Sequence, residues 1–114
     1  TEDADSDDNW HTTEIIVVVT DGEHSGATGE VKAVHLYDVT LQLSDGTEIT
    51  VPKPFVRPKE PEKKDRVKII KGEFKGKIGS LIGIDNRDGI VKMEENMDIK
   101  IVDINSIAPC AAAQ

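Results

Sequence analysis

Seven cations stand between residues 63 and 77: Lys63, Lys64, Arg66, Lys68, Lys71, Lys75 and Lys77. Only Asp65 and Glu73 offset them, a local balance of +5 in a chain of net charge −8. Lys64, Arg66 and Lys68 alternate with Asp65, Val67 and Ile69, so an extended backbone puts those three cations on one face. Lys71, Lys75 and Lys77 fall in or beside the glycine-rich stretch that follows, with Phe74 at its tip. Such a row suits a phosphate backbone or an acidic protein surface. It equally suits a solvated strand edge, where lysine discourages pairing with another chain. Phe74 has three readings: stacking on a nucleobase, anchoring in a partner's pocket, or folding back as a lid over its own core.

Other chemistries are not indicated. Gly72, Gly76 and Gly79 could pass for a phosphate cradle, but residues 77–84 are β-rich and supply no helix N-terminus to hold the anion. His11, His24 and His35 share no metal-ligand spacing, and the single cysteine, Cys110, completes no zinc site. Asp85-x-x-Asp88-Gly89 has Arg87 where a calcium ligand belongs, and reads as a hairpin turn. The acids are scattered over turns and exposed strand faces, so neither a catalytic triad nor a carboxylate dyad emerges. Trp10, Tyr37, Phe55 and Phe74 are spread along the chain, which argues against an aromatic cage for methylated lysine. Trp10 reads as a core plug or a packing contact. We expect no enzyme activity, no metal and no cofactor.

The elements that position the cations come in two copies. Gly22-Glu23-x-x-Gly26-x-x-Gly29 returns fifty residues later as Gly72-Glu73-x-x-Gly76-x-x-Gly79. The apolar positions keep step without a gap: Val17 with Val67, Val19 with Ile69, Val31 with Leu81, Val34 with Ile84. Leu41 pairs with Val91, Leu43 with Met93, Ile49 with Ile99 and Val51 with Ile101. Glycines held in register mean one backbone design used twice, because glycine serves positive φ and close backbone approach. His24 stands where Phe74 does and is the weaker contact candidate.

A length of 114 residues fits one domain, but the repeat argues for two of about fifty. A unit that small buries only about 60% of its unfolded surface, so it needs an efficient fold. No apolar run approaches the ~20 residues of a membrane span, and no basic segment leads into an apolar one as in a signal peptide. One cysteine fits a reducing compartment. The absent initiator methionine and the abrupt acidic start are what a fragment of a longer protein would show. Residues 1–8 carry five acids and no base, residues 9–58 seven acids and three bases, and residues 59–114 ten acids and eleven bases. Whole-chain acidity argues against strong non-specific nucleic-acid binding, which counterion release drives. The local patch leaves weaker or shape-selective binding open.

Periodicity is that of strands throughout. Residues 1–9 read as a disordered acidic lead-in. Residues 15–19 are a β-branched run, and Val39, Leu41 and Leu43 alternate with polar residues before an Asp45-Gly46 hairpin returns through Ile49 and Val51. Residues 51–64 hold Pro52, Pro54, Pro58 and Pro61 with four lysines, and read as an extended, semi-rigid linker. The second half repeats the scheme with strands at Val67 and Ile69, residues 78–84, residues 90–93, and Ile99 with Ile101. Asp88-Gly89 and Glu94-Glu95-Asn96 are its turns, and Ile104 and Ile107 close it. About five short strands per half are best buried by curling into a small barrel. The expected division is a lead-in at 1–9, a first barrel at 10–58, a linker at 59–64, a second barrel at 65–109 and a tail at 110–114.

The segment from Asp65 to Asp85, with Gly72, Gly76, Gly79 and a terminal Ile84, resembles the KOW motif of NusG-type transcription elongation factors and some ribosomal proteins. The first copy keeps Gly22, Gly26 and Gly29 but has Asp21, His24, Ser25 and Ala27 where basic loop residues are usual. Asn9-Trp10 opening one barrel, and residues 84–93 with Ile99-Lys100-Ile101 in the next, resemble the C-terminal end of the large subunits of the eukaryotic DRB-sensitivity-inducing factors. The resemblance covers roughly residues 9–109. It implies tandem SH3-like or Tudor-like β-barrels, a nuclear location, and docking on the RNA polymerase II elongation complex, its associated factors, or emerging RNA or DNA. The NusG-type domain that binds the polymerase clamp is absent from this sequence, so full elongation activity is not expected of it. The contact surface would be Lys64, Arg66, Lys68, Lys71, Phe74, Lys75 and Lys77. The acidic first barrel would prefer a basic protein surface or act as a spacer. Two alternatives stay open: a general RNA-binding KOW module of a ribosomal or splicing protein, and a purely structural protein–protein interaction pair. The fragment is expected to be monomeric.

Overall fold

β-Branched and leucine residues at every second position give most of the strands one buried face. The computed structural model describes residues 10–110. The lead-in expected at 1–9 and residues 111–114 of the expected tail lie outside them. The first sheet holds β1 (Ile16–Val19), β2 (Thr28–Val34), β3 (Asp38–Leu43), β4 (Glu48–Pro52) and β5 (Val56–Pro58), in the antiparallel order β4-β3-β2-β1-β5. The second holds β6 (Arg66–Ile69), β7 (Ile78–Asp85), β8 (Asp88–Met93), β9 (Ile99–Asp103) and β10 (Ile107–Pro109), in the matching order β9-β8-β7-β6-β10. A 3-10 turn joins the last two strands of each, Lys53–Phe55 in one and Ile104–Ser106 in the other. Each sheet bulges at the same place, between Val31 and Ala33 and between Leu81 and Gly83. The described residues contain no α-helix, and the architecture is the expected pair of small all-β, SH3-like or Tudor-like units.

The glycine pattern has a backbone cause. Gly22 and Gly26 sit at φ +85° and +94°, Gly72 and Gly76 at +90° and +94°, where a side chain is strained. The third glycine of each copy answers a different demand. A Cβ on Gly79 would lie 2.5 Å from the Lys92 carbonyl oxygen, and one on Gly29 would lie 3.0 Å from that of Gln42. The loop hydrogen bonds also repeat: Gly76 N–H donates to Ile69 O at 2.8 Å as Gly26 N–H donates to Val19 O at 2.7 Å.

The copies do not stay in step to the end. Val39 pairs with Val51 in the first sheet, whereas Gly89 pairs with Val102 in the second. The turn after β8 is one residue longer than the turn after β3, with Met97 at φ +66° where the first uses Gly46 at +90°. The gapless alignment therefore fails beyond that turn, and the offset becomes fifty-one. Because side chains alternate, a one-residue slip reverses the faces of a strand. Ile99 and Ile101, expected to return inward like Ile49 and Val51, are 57% and 68% exposed, and Val102 packs inward instead. At the corrected offset Val56 matches Ile107 and Pro58 matches Pro109.

Three other expectations change. Most of the proline-rich stretch at 51–64 is not linker: Val51 and Pro52 end β4, Lys53–Phe55 is the 3-10 turn, and Val56–Pro58 is a strand paired with β1. Proline is tolerated there because β4 and β5 are the sheet's edges. The hairpin at Asp85 and Asp88 turns on Asn86 and Arg87, with Asn86 at φ +59°, while Gly89 lies inside β8 beneath Leu81 and Ile107. Val34 and Ile84, matched as core positions, are both exposed.

The two units pack together. Ile70 and Ala108, from the second, are fully buried in the core cluster of the first, with Trp10, Ile15, Val17 and Val56. Ile69 and Ile107, one residue away in each case, belong to the second core. An isolated antiparallel bridge between Ile15 and Cys110 continues the contact.

Candidate functional site

β6 places the expected cations as its alternation requires: Val67 and Ile69 are buried, and Arg66 and Lys68 face outward, half-buried. Each outward cation has a local partner. Arg66 makes a two-pronged contact with Glu94, its Nε 2.7 Å from Oε2 and its terminal nitrogen 3.1 Å from Oε1. That hydrogen bond raises the guanidinium pKa and holds the Glu94 carboxyl below the ordinary glutamate value. Lys68 Nζ donates to Thr12 Oγ1 at 3.3 Å and to the Thr13 carbonyl at 3.2 Å, so it ties the second barrel to the segment that opens the first. Lys77 Nζ reaches Glu95 Oε1 at 2.8 Å. Lys64 is exposed at φ +78° and its N–H donates to Leu81 O at 2.6 Å. Lys75 lines a shallow hollow with Lys77, Glu94 and Glu95, and Lys71 lies apart from it, in the cleft between the barrels.

Phe74 folds back. Its ring packs on the second core beside Val102 and Ile104, and Lys100 Nζ stands 5.2 Å from the ring centroid. Of its three readings, the lid is the one the structure adopts. The row at 64–77 is thus a mixed-charge face with Glu94 and Glu95 set among its cations.

The remaining singled-out residues serve packing. Trp10 is buried in the first core and stacks on His11 at 3.9 Å between centroids. His35 bonds Thr40 Oγ1 at 3.0 Å, and His24 lies 3.7 Å from Glu23, so the three histidines serve three separate places. Burial pushes the Cys110 thiol pKa up. The junction residues Ile70 and Ala108 are what sequence reasoning missed. Their counterparts in the first copy are Thr20 and Arg57, both exposed. A position that is polar in one copy and apolar in the other, on the face turned away from its own core, is the signal that would have found them.

Comparison with known proteins finds similarity over the second part of the chain. Residues 60–109 match the family model for the seventh KOW domain of transcription elongation factor SPT5. The match spans residues 60–65 of the strap (59–65) that joins β5 to β6, and the whole second sheet; the first sheet lies outside it. Among curated proteins of Arabidopsis thaliana, SPT5 homolog 1 is 54% identical over 48 residues, and SPT5 homolog 2 is 46% identical over 48 residues. Each alignment covers 42% of this chain and 5% of the relative, so the chain spans a small fraction of either protein's length. The crystal structure of the SHH1 SAWADEE domain in complex with an H3K9me3 peptide aligns over 88% of this chain and 100% of that one, with 13% identity and a TM-score of 0.39. A likeness that low bears on neither fold nor function.

Proposed function

We propose that this chain is a non-catalytic docking module of a transcription elongation factor, acting on the RNA polymerase II elongation complex in the nucleus. The observation that carries this reading is the match of residues 60–109 to the seventh KOW domain of SPT5. In this reading residues 10–58 and 65–109 are tandem KOW-type units, with 59–64 between them, corresponding to the C-terminal end of the large subunit of the DRB-sensitivity-inducing factor. The contact surface is the outer face of β6 and its loop, Lys64, Arg66, Lys68, Lys75 and Lys77 with Phe74 supporting the loop from beneath, extended by Lys71 at the edge of the cleft. Partners are polymerase subunits or associated factors, with RNA or DNA contact secondary. Carboxylates at Glu94 and Glu95 support that ranking, because they oppose a phosphate backbone while complementing a mixed-charge protein surface.

A second reading has its own support. Burial of Ile70 and Ala108 in the first core packs one barrel against the other, which favours a structural pair spanning two parts of an assembly.

The test is a band-shift titration of the labelled chain against a reconstituted elongation complex and against the same nucleic-acid scaffold without polymerase, at ~50 mM and ~200 mM salt. Binding to the complex and not to the bare scaffold is expected. Equal binding to both would replace the docking reading with a general nucleic-acid reader, and a Lys71/Lys75/Lys77 charge reversal that leaves complex binding intact would remove the assigned surface.

A further inference from the structure

The junction between the barrels forms a groove that neither barrel builds alone. One end is a cleft of about 560 Å³, floored by Pro58, Pro61 and Ile104 and reached by Arg57, Lys59 and Lys71. The other is a hollow of about 500 Å³ that shares Arg57, Lys59 and Pro61 and adds Lys63 and Ile84. The strap is fixed in place: Lys59 N–H donates to Ile16 O at 3.0 Å, and Pro61 is buried. The Arg57, Lys59 and Lys63 side chains make no hydrogen bond or ion pair among the described residues. That sets them apart from Arg66, Lys68 and Lys77 on the β6 face, which are paired. The groove's own acids are Glu60 and Glu62, fewer than its cations, in a chain whose net charge is −8.

We infer that this groove binds an extended acidic peptide, carboxylates set against Arg57, Lys59 and Lys63 and apolar side chains against Pro58, Pro61 and Ile104. Cations held on a preformed surface, without partners among the described residues, recognise acidic segments by charge. The apolar floor separates this occupant from nucleic acid. No aromatic side chain lines either hollow for a base to stack on, and stacking is what holds single strands in a groove. Glu60 on the strap also opposes a continuous phosphate backbone more than it opposes carboxylates that can be spaced around it. The groove shares Lys71 with the face assigned there, but Arg57, Lys59 and Lys63 lie outside it, so substitutions at Arg57 and Lys59 test the groove apart from the elongation-factor reading.

The test uses the intact chain and a short fluorescein-labelled peptide alternating glutamate with leucine, read by anisotropy and by residue-resolved NMR. A short oligouridine serves as the competing class. Saturable peptide binding with amide shifts at residues 57–63, 71 and 104–105 is expected, weakening as salt screens the contact. Arg57→Glu with Lys59→Glu is expected to weaken it by about tenfold or more, and Arg57→Gln with Lys59→Gln by a smaller factor, with an unchanged thermal midpoint. No saturable peptide binding at low salt would overturn the inference, as would oligouridine shifting the same amides at lower concentration. So would shifts of the amides of residues 2–8 on Arg57→Glu without peptide, which would assign the groove to the chain's own acidic segment.

Discussion

Ile107 and Ala108 are neighbours in one strand, and they serve different cores: Ile107 packs in the second barrel, Ala108 in the first. Opposite pointing of successive strand residues makes this unavoidable once β10 is buried on both faces. Ile69 and Ile70 divide in the same way at the end of β6. The barrels are therefore joined through apolar packing of Ile70 and Ala108, the Ile15–Cys110 bridge, and the bonds of Lys68 to its threonine partners at the rim.

Ala108→Asp should separate the barrels. A carboxylate at a fully buried position without a partner costs several kcal/mol, more than the small junction gains. Small-angle scattering is expected to show a more extended particle, and NMR relaxation shorter correlation times for each barrel. A variant that still tumbles as one body would show that the junction does not hold the pair.

Gly79→Ala should destabilise more than Gly29→Ala. The added Cβ meets a backbone carbonyl at 2.5 Å in the first case and at 3.0 Å in the second, and neither carbonyl can turn away without breaking its ladder. Urea denaturation is expected to lose about 2–3 kcal/mol for Gly79→Ala and about 1 kcal/mol for Gly29→Ala. Equal losses would mean that the strands relax apart freely.

The register slip makes β9 a clean test of facing. Ile99→Glu with Ile101→Thr installs the residues found at Glu48 and Thr50 in the first copy. Both isoleucines face solvent, so stability should stay within about 0.5 kcal/mol. Val102→Ala, on the inward face, should cost about 1–2 kcal/mol. A reversed ranking would restore the gapless alignment.

The Arg66–Glu94 pair gives stability an acid limb. The Glu94 pKa is depressed in the folded state, so its contribution is complete above the unfolded value of about 4.5 and is lost as pH falls through the lower folded value. Arg66 is raised from an already high value, so it stays charged across this range and adds no limb there. The carboxylate is 45% exposed, so the effect is small, about 0.2–1 kcal/mol, and smaller in high salt. Glu94→Gln should flatten the difference between pH 6 and pH 3 by that amount; an unchanged acid slope would assign the limb to other carboxylates.

Much of this architecture was legible because it is local. Period-2 alternation in residues 39–43, the β-branched run at 15–19, and the glycines at 22, 26, 72 and 76 each act through their own backbone, so sequence alone set most of the strands, two loops of one design and a basic row on β6, but not β5, which read as linker. Tertiary packing decided the rest. The extra residue after β8 is one letter in the chain, yet it turned Ile99 and Ile101 outward, because a facing depends on which partner residue lies opposite. The cations of β6 were visible as residues, but Arg66 meeting Glu94 across the sheet and Lys68 meeting Thr12 across the junction depend on contacts 28 and 56 residues apart. The groove of Arg57, Lys59 and Lys71 exists only because Ile70 and Ala108 bury themselves in another barrel's core. Such a surface depends on how two folded units meet, which no local periodicity encodes.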